Sequence, residues 1–411
     1  MTVQNSYKWI FPARFRARAY GRKSSRLACQ RLREAVSEIK KVSRKEPVLG
    51  GEGAVRLIEK LGPALVHVNG SSGAMGSGVN KAINGLMPII INAPADTRTR
   101  RKWLERLWQA VEDDGVEFLI LVREHWGALC GSVEIANQWA EKLASTLREC
   151  WTHPGPGYFR GTAACLSSLL VAGRYQEVLD LLALGPTPFW DDRRYGVEAL
   201  LAMGRKSEAV KYAEASRELD QADSAIDRVC EEILISSGLH EEAYRRYGLR
   251  AARGNSYRAR FRAVAKRYPM MAPTEILEDL IETTPGEEGK WFATAKDLKL
   301  YGFALQLADR SPCEPKTLNR AAKNFLESEP EFALGAALAA LRWLNEDWGY
   351  EVTSFDVIEA YDLALKAAAE SHTDIDRVTD KIHALLEQTQ CAGNIFVRES
   401  LSFRLRTSGV S

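Results

Sequence analysis

The sequence predicts an all-α fold, in which a helical N-terminal domain leads into an α-solenoid of antiparallel helix pairs. Three observations predict it. Leu, Ala, Glu and Arg dominate between sparse turn residues, a composition that favours helices over strands. Apolar residues recur at helical steps, as in the stripes Leu27, Leu32, Val36, Ile39 and Trp103, Leu104, Leu107, Ala110. Finally, Gly173-Arg-Tyr-Gln-Glu-Val178, Gly204-Arg-Lys-Ser-Glu-Ala209 and Gly238-Leu-His-Glu-Glu-Ala243 each set a Gly five residues before a small apolar residue. These glycines lie 31 and 34 residues apart, the period of a helix–turn–helix repeat.

Residues 1–24 read as a basic aromatic arm, with Trp9, Phe11 and Pro12 ahead of Arg14-Phe-Arg-Ala-Arg-Ala-Tyr20. The N-terminal helical domain is expected over 25–155. Its first helix starts near Ser25, a second covers about 53–66 and a third follows the Gly/Ser loop 70–78. A fourth runs from Asp96 to Glu112, and two more fill 116–151. The turn-rich Trp151-Thr-His-Pro-Gly-Pro-Gly157 marks a domain boundary.

Repeats then occupy 158–345. The first pair is Phe159–Ala172 and Tyr175–Leu184, the second 191–203 and 206–219, the third 223–236 and 240–252. The pattern weakens, yet its small residue returns at Ala304 in Tyr-Gly-Phe-Ala-Leu and at Ala333 in Pro-Glu-Phe-Ala-Leu, with one diverged repeat around 257–284. About six pairs result. Thr353-Ser354 followed by Asp356 signals a helix start and opens the C-terminal helices of 346–390. The tail 391–411 reads as irregular.

The repeat needs these residue types for physical reasons. Gly adopts the left-handed conformation that closes a helix and reverses the chain. Glu in the first turn of the next helix meets the positive helix end. Ala or Val lets two helices approach closely, and each pair is too small to bury its own apolar face, so neighbours must stack.

This pattern resembles the tetratricopeptide repeat family, whose motif has such a Gly between its helices and an Ala five residues later. The resemblance covers roughly 158–345. Val178 departs from it, and the family's closing proline is not regularly placed. Phe11-Pro-Ala-Arg-Phe-Arg16 ahead of a helical-repeat body also resembles a group of bacterial proteins, a likeness that implies no activity. The repeat resemblance implies a concave face, lined by the first helix of each pair, that holds a protein or peptide partner. Polar residues of those helices expected to face it are Arg194, Glu198, Arg228 and Glu231. The expected function is a non-enzymatic protein-interaction scaffold or adaptor.

The formal net charge of +2 hides an asymmetry. Residues 1–45 hold thirteen Lys or Arg against Glu34 and Glu38, a balance of +11, which leaves −9 for the rest. A second basic block, 245–267, has nine Lys or Arg, no acid, and interleaved tyrosines. Arg pairs with phosphate bidentately and aromatic rings stack on bases, so the alternative is a nucleic-acid-associated protein. Its candidate polyanion-binding residues are Arg14, Arg16, Arg18, Arg22, Lys23, Arg258, Arg260 and Arg262. Against it, Glu275, Glu278, Asp279 and Glu282 follow closely enough to pair with the block internally.

Other chemistries lack a signature. The loop ending Gly78-Val-Asn-Lys81 is not the Gly-Lys-Ser/Thr of a phosphate loop. Six histidines show no zinc spacing, and no nucleophile–base pair is legible, so neither cofactor nor catalytic residue is expected. Glu124-His125-Trp126 reads as part of a core helix, and Asp191-Asp192 as helix-end acids. Seven cysteines without a CxxC suit a reduced, cytoplasmic protein, and no apolar run reaches a membrane span.

Overall fold

The computed structural model describes residues 7–21, 23–68, 73–153, 157–185, 189–217, 223–252, 254–387 and 391–407. It is all-helical, with no strand among the described residues. The chain divides into two compact units, Met1–Ile226 and Asp227–Ser411.

In the N-terminal unit a short helix Phe11–Arg14 precedes Ser25–Ser43, Pro47–Leu65, Ala74–Ile91 and Thr97–Glu112. Two one-turn helices, Ile120–Glu124 and Trp126–Cys130, then lead to Val133–Thr152. Side chains close the helix ends. The Asp96 carboxylate accepts from the Thr99 amide at 2.7 Å, and the Ser132 hydroxyl from the Ile135 amide at 3.2 Å. Buried Arg100 donates to the Ile90 and Ala93 carbonyls at 2.5 and 2.6 Å, satisfying the end of Ala74–Ile91. Arg106 clamps Glu52 and Glu59 at 2.7 and 2.6 Å, tying Thr97–Glu112 to Pro47–Leu65.

One hydrophobic core runs from Phe11 to Ala199, and it corrects two expectations. Residues 7–21 are not a free arm: Phe11, Phe15 and Tyr20 are 1%, 1% and 4% exposed. The Ile10 and Phe11 amides donate to Glu38, and Arg14 pairs with Glu34. Rings four residues apart on a short helix share one face, and here that face is inside.

The turn at 151–157 is likewise not a boundary, because Trp126–Cys130 packs on Thr162–Val171 across it. The Gly127 amide donates to Ser167 Oγ at 3.1 Å, and a Cβ at Gly127 would lie 2.2 Å from the Ser167 carbonyl oxygen. Two helices approach backbone to backbone there. The division between units falls instead at Ile226/Asp227, within the helix Asp223–Ile235.

The repeat turns are built as the glycines imply. Gly173, Gly204 and Gly238 have φ of 75°, 77° and 77°. Each turn makes the same two bonds: Gly173 to the Leu170 carbonyl and Arg174 to that of Leu169, with Gly204/Arg205 and Gly238/Leu239 repeating the pattern. Five residues on, Val178, Ala209 and Ala243 are fully buried, and so are Ala304 and Ala333. The turn persists even without Gly. Lys299, five residues before Ala304, has φ 61° and bonds the Lys296 carbonyl, while Leu300 bonds that of Ala295.

Helices follow in pairs through this region. In the N-terminal unit they are Thr162–Val171 with Tyr175–Leu184, and Trp190–Ala202 with Lys206–Glu214. Asp223–Ile235 is followed by His240–Ala243, a π-helical turn Tyr244–Gly248 and Leu249–Ala251. The C-terminal unit adds Tyr257–Arg267 with Pro273–Glu282, Phe292–Asp297 with Tyr301–Arg310, and Pro315–Phe325 with Pro330–Asn345. Ser354–Glu370 opens on the expected capping box of Thr353 and Asp356, and Ile375–Glu387 follows.

The tail is a third correction: Ala392–Thr407 is a helix. Asn394 donates to Asn345 Oδ1 at 2.7 Å and the Leu386 carbonyl at 2.8 Å, and Val397 and Leu401 are fully buried. Gly393 and Asn394 stand where an apolar stripe would put large side chains, which hid the helix from periodicity. No helix among the described residues is long and apolar enough to cross a membrane.

Candidate functional site

A cleft of about 370 Å³ opens in the N-terminal unit, at the head of the repeat helices. Ile120–Glu124, the start of Thr162–Val171 and the start of Trp190–Ala202 supply its walls. Buried Arg123 and Thr162 form the floor. Tyr158 and Phe189 are 62% and 51% exposed and so stand at the mouth, and Trp151 and Phe159 complete the aromatic lining. Glu117, also in the lining, holds the left-handed conformation at φ 58°, a strain that side chains with a Cβ rarely carry.

The three guanidinium groups of the lining are already engaged. Arg123 donates to the Arg160 carbonyl at 3.0 Å and lies 4.0 Å from Glu117, which accepts from the Tyr158 hydroxyl at 2.6 Å. Arg160 donates to the Val111 and Glu112 carbonyls at 2.9 Å each, closing the helix Thr97–Glu112. Arg194 pairs with Glu124 at 3.1 Å and donates to the Tyr195 hydroxyl at 3.1 Å and the Asp191 carbonyl at 2.9 Å.

Asp191 and Asp192 differ. Neither carboxylate has a hydrogen bond or ion pair among the described residues. Burial, with the Asp191 charge adding to it, pushes the Asp192 pKa up to about 6, while Arg194 pulls the other way. Burial raises Tyr195 as well. Glu198, one turn beyond Arg194, is open to solvent yet ringed by protein, and its lost hydration raises its pKa against the pull of Arg194. Arg194 itself is held protonated: burial opposes its charge, but Tyr195 and Glu124 outweigh that.

Of the four groove residues expected from sequence, Arg194 lines this cleft and Glu198 stands beside it. Arg228, in the C-terminal unit, is exposed. Glu231 is 6% exposed, accepts from the Tyr268 hydroxyl at 2.6 Å and lies 3.6 Å from Arg267, so it is an interior residue of that unit.

The candidate polyanion residues scatter. Arg14 is taken by Glu34, while Arg16, Arg18 and Lys23 are exposed, and Arg22 lies outside the described residues. Arg258 pairs with Asp297, and Arg262 is 4.0 Å from the same carboxylate. Arg260 is half-buried and donates to the Leu249 carbonyl and the Thr283 hydroxyl. Arg246 and Arg250 of the same block reach Glu242 and Asp227. The acids that pair with the block's cations among the described residues are Glu241, Glu242, Asp227, Glu231, Glu232 and Asp297, not the expected Glu275, Glu278, Asp279 and Glu282.

Sequence reasoning missed Tyr158, Phe189, Arg123 and Arg160 as site residues. Their signal was faint: Tyr158 and Phe189 each follow a Gly/Pro-rich connection and precede a helix, where a large ring has no packing duty within its own helix. Among the described residues no three His, Cys, Asp or Glu side chains come together as a metal site, and the cysteines are free thiols. Comparison of the chain with protein-family models finds no match, and comparison with curated proteins finds none either.

Proposed function

We propose that this protein is a non-enzymatic interaction scaffold that holds an extended segment of a protein or peptide partner. The observation that carries the proposal is the cleft, with two large rings left in water over a concave, polar-floored surface. Rings presented in this way are the usual anchors of a protein interface, because each buries a large area with little side-chain entropy to lose. The described lining has no Ser, Cys, Lys or His, and its one hydroxyl from Thr, that of Thr162, donates to the Phe159 carbonyl. The lining's carboxylates are the remaining reactive groups, and with two exposed rings in the same lining they serve binding. Internal pairing of Arg258, Arg262, Arg246 and Arg250 favours a protein partner over a polyanion.

Affinity capture from the native host tests this, run with the wild-type chain and a Tyr158→Ser/Phe189→Ser variant. Both rings are exposed, and a Tyr158→Phe control, which loses only the hydroxyl's bond to Glu117, separates the ring from that contact. The expected result is a protein retained by wild type, lost from the variant and insensitive to nuclease. Equal capture by both, or retention abolished by nuclease, overturns the proposal.

A further inference from the structure

We infer that the cleft takes a cationic side chain, the guanidinium or ammonium group of an arginine or lysine in the partner segment, between Asp191–Asp192 and the rings at the mouth. The inference rests on the scaffold reading and names what the scaffold recognises.

The charges of the cleft decide the sign of the ligand. Four carboxylates, Glu117, Glu124, Asp191 and Asp192, face three guanidiniums, Arg123, Arg160 and Arg194. Arg123 is held by the Arg160 carbonyl and Glu117, Arg160 by two helix-end carbonyls, and Arg194 by Glu124. Glu117 and Glu124 therefore offset Arg123 and Arg194, and Arg160 is left to offset one of the two remaining carboxylates, so the lining is net acidic and disfavours an anion. A cation would find two carboxylates with no bond to break. Asp192 is half-buried, and an unpaired carboxylate in such a place costs stability until an opposite charge arrives.

The rings fit the same ligand. Tyr158 and Phe189 are exposed aromatic rings lining the same cleft as the acids, and aromatic rings attract a guanidinium or ammonium group. The cavity, about 370 Å³, sits at the small end of ligand pockets, roughly 300–1,000 Å³. That size suits one long side chain reaching in from a segment lying across the mouth. A purely helical role for the two acids explains less. Asp191 and Asp192 do sit in the first turn of Trp190–Ala202, where carboxylates are favourable, but the helix start has no side-chain cap bond and the dipole needs no burial.

The test uses the full chain and blocked tripeptides Ac-Leu-X-Leu-NH2, with X as Arg, Lys, Gln or Glu, read by ligand-observed NMR, which detects millimolar binding. The Arg and Lys peptides are expected to bind about 10-fold more tightly than Gln, and Glu more weakly still. Asp191→Asn/Asp192→Asn should erase that preference without lowering the melting temperature. Equal binding of Gln or Glu, a preference that survives the double variant, or no binding at all overturns the inference. Ethylguanidinium binding as tightly as the Arg peptide would overturn the peptide side chain as its source. The two readings fail separately. A captured partner lost from the ring variant but kept by the Asn variant sinks the cation site and leaves the scaffold. Aspartate-dependent peptide binding with no captured partner does the reverse.

Discussion

Asp192 carries its charge in a place that resists it. Its folded pKa of about 6 stands above the ordinary 3.8, so the folded chain holds its proton to higher pH than the unfolded chain does. Below the ordinary value both states are protonated and the group contributes nothing. As pH rises through about 4 to 6 the unfolded chain ionises first, and stability is lost until both are charged. Asp192→Asn should therefore raise stability by on the order of 1–2 kcal/mol near pH 7.5, and by a fraction of that near pH 4, measured by urea melts at the two pH values. An equal gain at both would show that the charge is not the cause. At this scale the sequence was readable in part. Asp191-Asp192, Glu124 and Arg194 read from sequence as helix-end acids, part of a core helix and a groove residue. That they meet depends on how three helices cross, and no local pattern encodes a crossing.

At the scale of elements, the turn geometry outlasts its sequence signature. Gly173, Gly204 and Gly238 announce their turns because Gly has no Cβ to clash at positive φ. Lys299 makes the same two bonds at φ 61° with no such announcement. The two turn bonds hold it there at a conformational cost of about 1 kcal/mol. Lys299→Gly should relieve that strain and stabilise the C-terminal unit by about 0.5–1 kcal/mol, read from the denaturant midpoint, the gain being trimmed by the looser unfolded chain. A loss of stability would mean that Lys299 makes a contact worth more than its strain. The helix Ala392–Thr407 was hidden for a related reason. Gly393 and Asn394 occupy its packing face, and two of their partners, Asp347 and Asn345, are more than forty residues away in sequence.

At the scale of the molecule, the basic head belongs to the core it precedes. Phe15→Ala should cost the N-terminal unit about 3–5 kcal/mol, since the ring is 1% exposed, and thermal melts followed by near-UV circular dichroism would register it. An unchanged melt would return residues 7–21 to the role of an appendage. Composition and charge showed a head unlike its body; they did not show which side of Phe11, Phe15 and Tyr20 faced inward.

The contact between Gly127 and Ser167 also governs how the chain is made. On the ribosome, Trp126, Leu129 and Cys130 emerge well before Thr162–Val171, the helix that covers them, and Tyr195 and Ala199 of the same core come later still. Domains fold as units while synthesis adds roughly 5–20 residues each second. The nascent N-terminal segment therefore spends seconds with its apolar side open, and a pause or truncation just after the helix Val133–Thr152 would strand it there, exposed to aggregation.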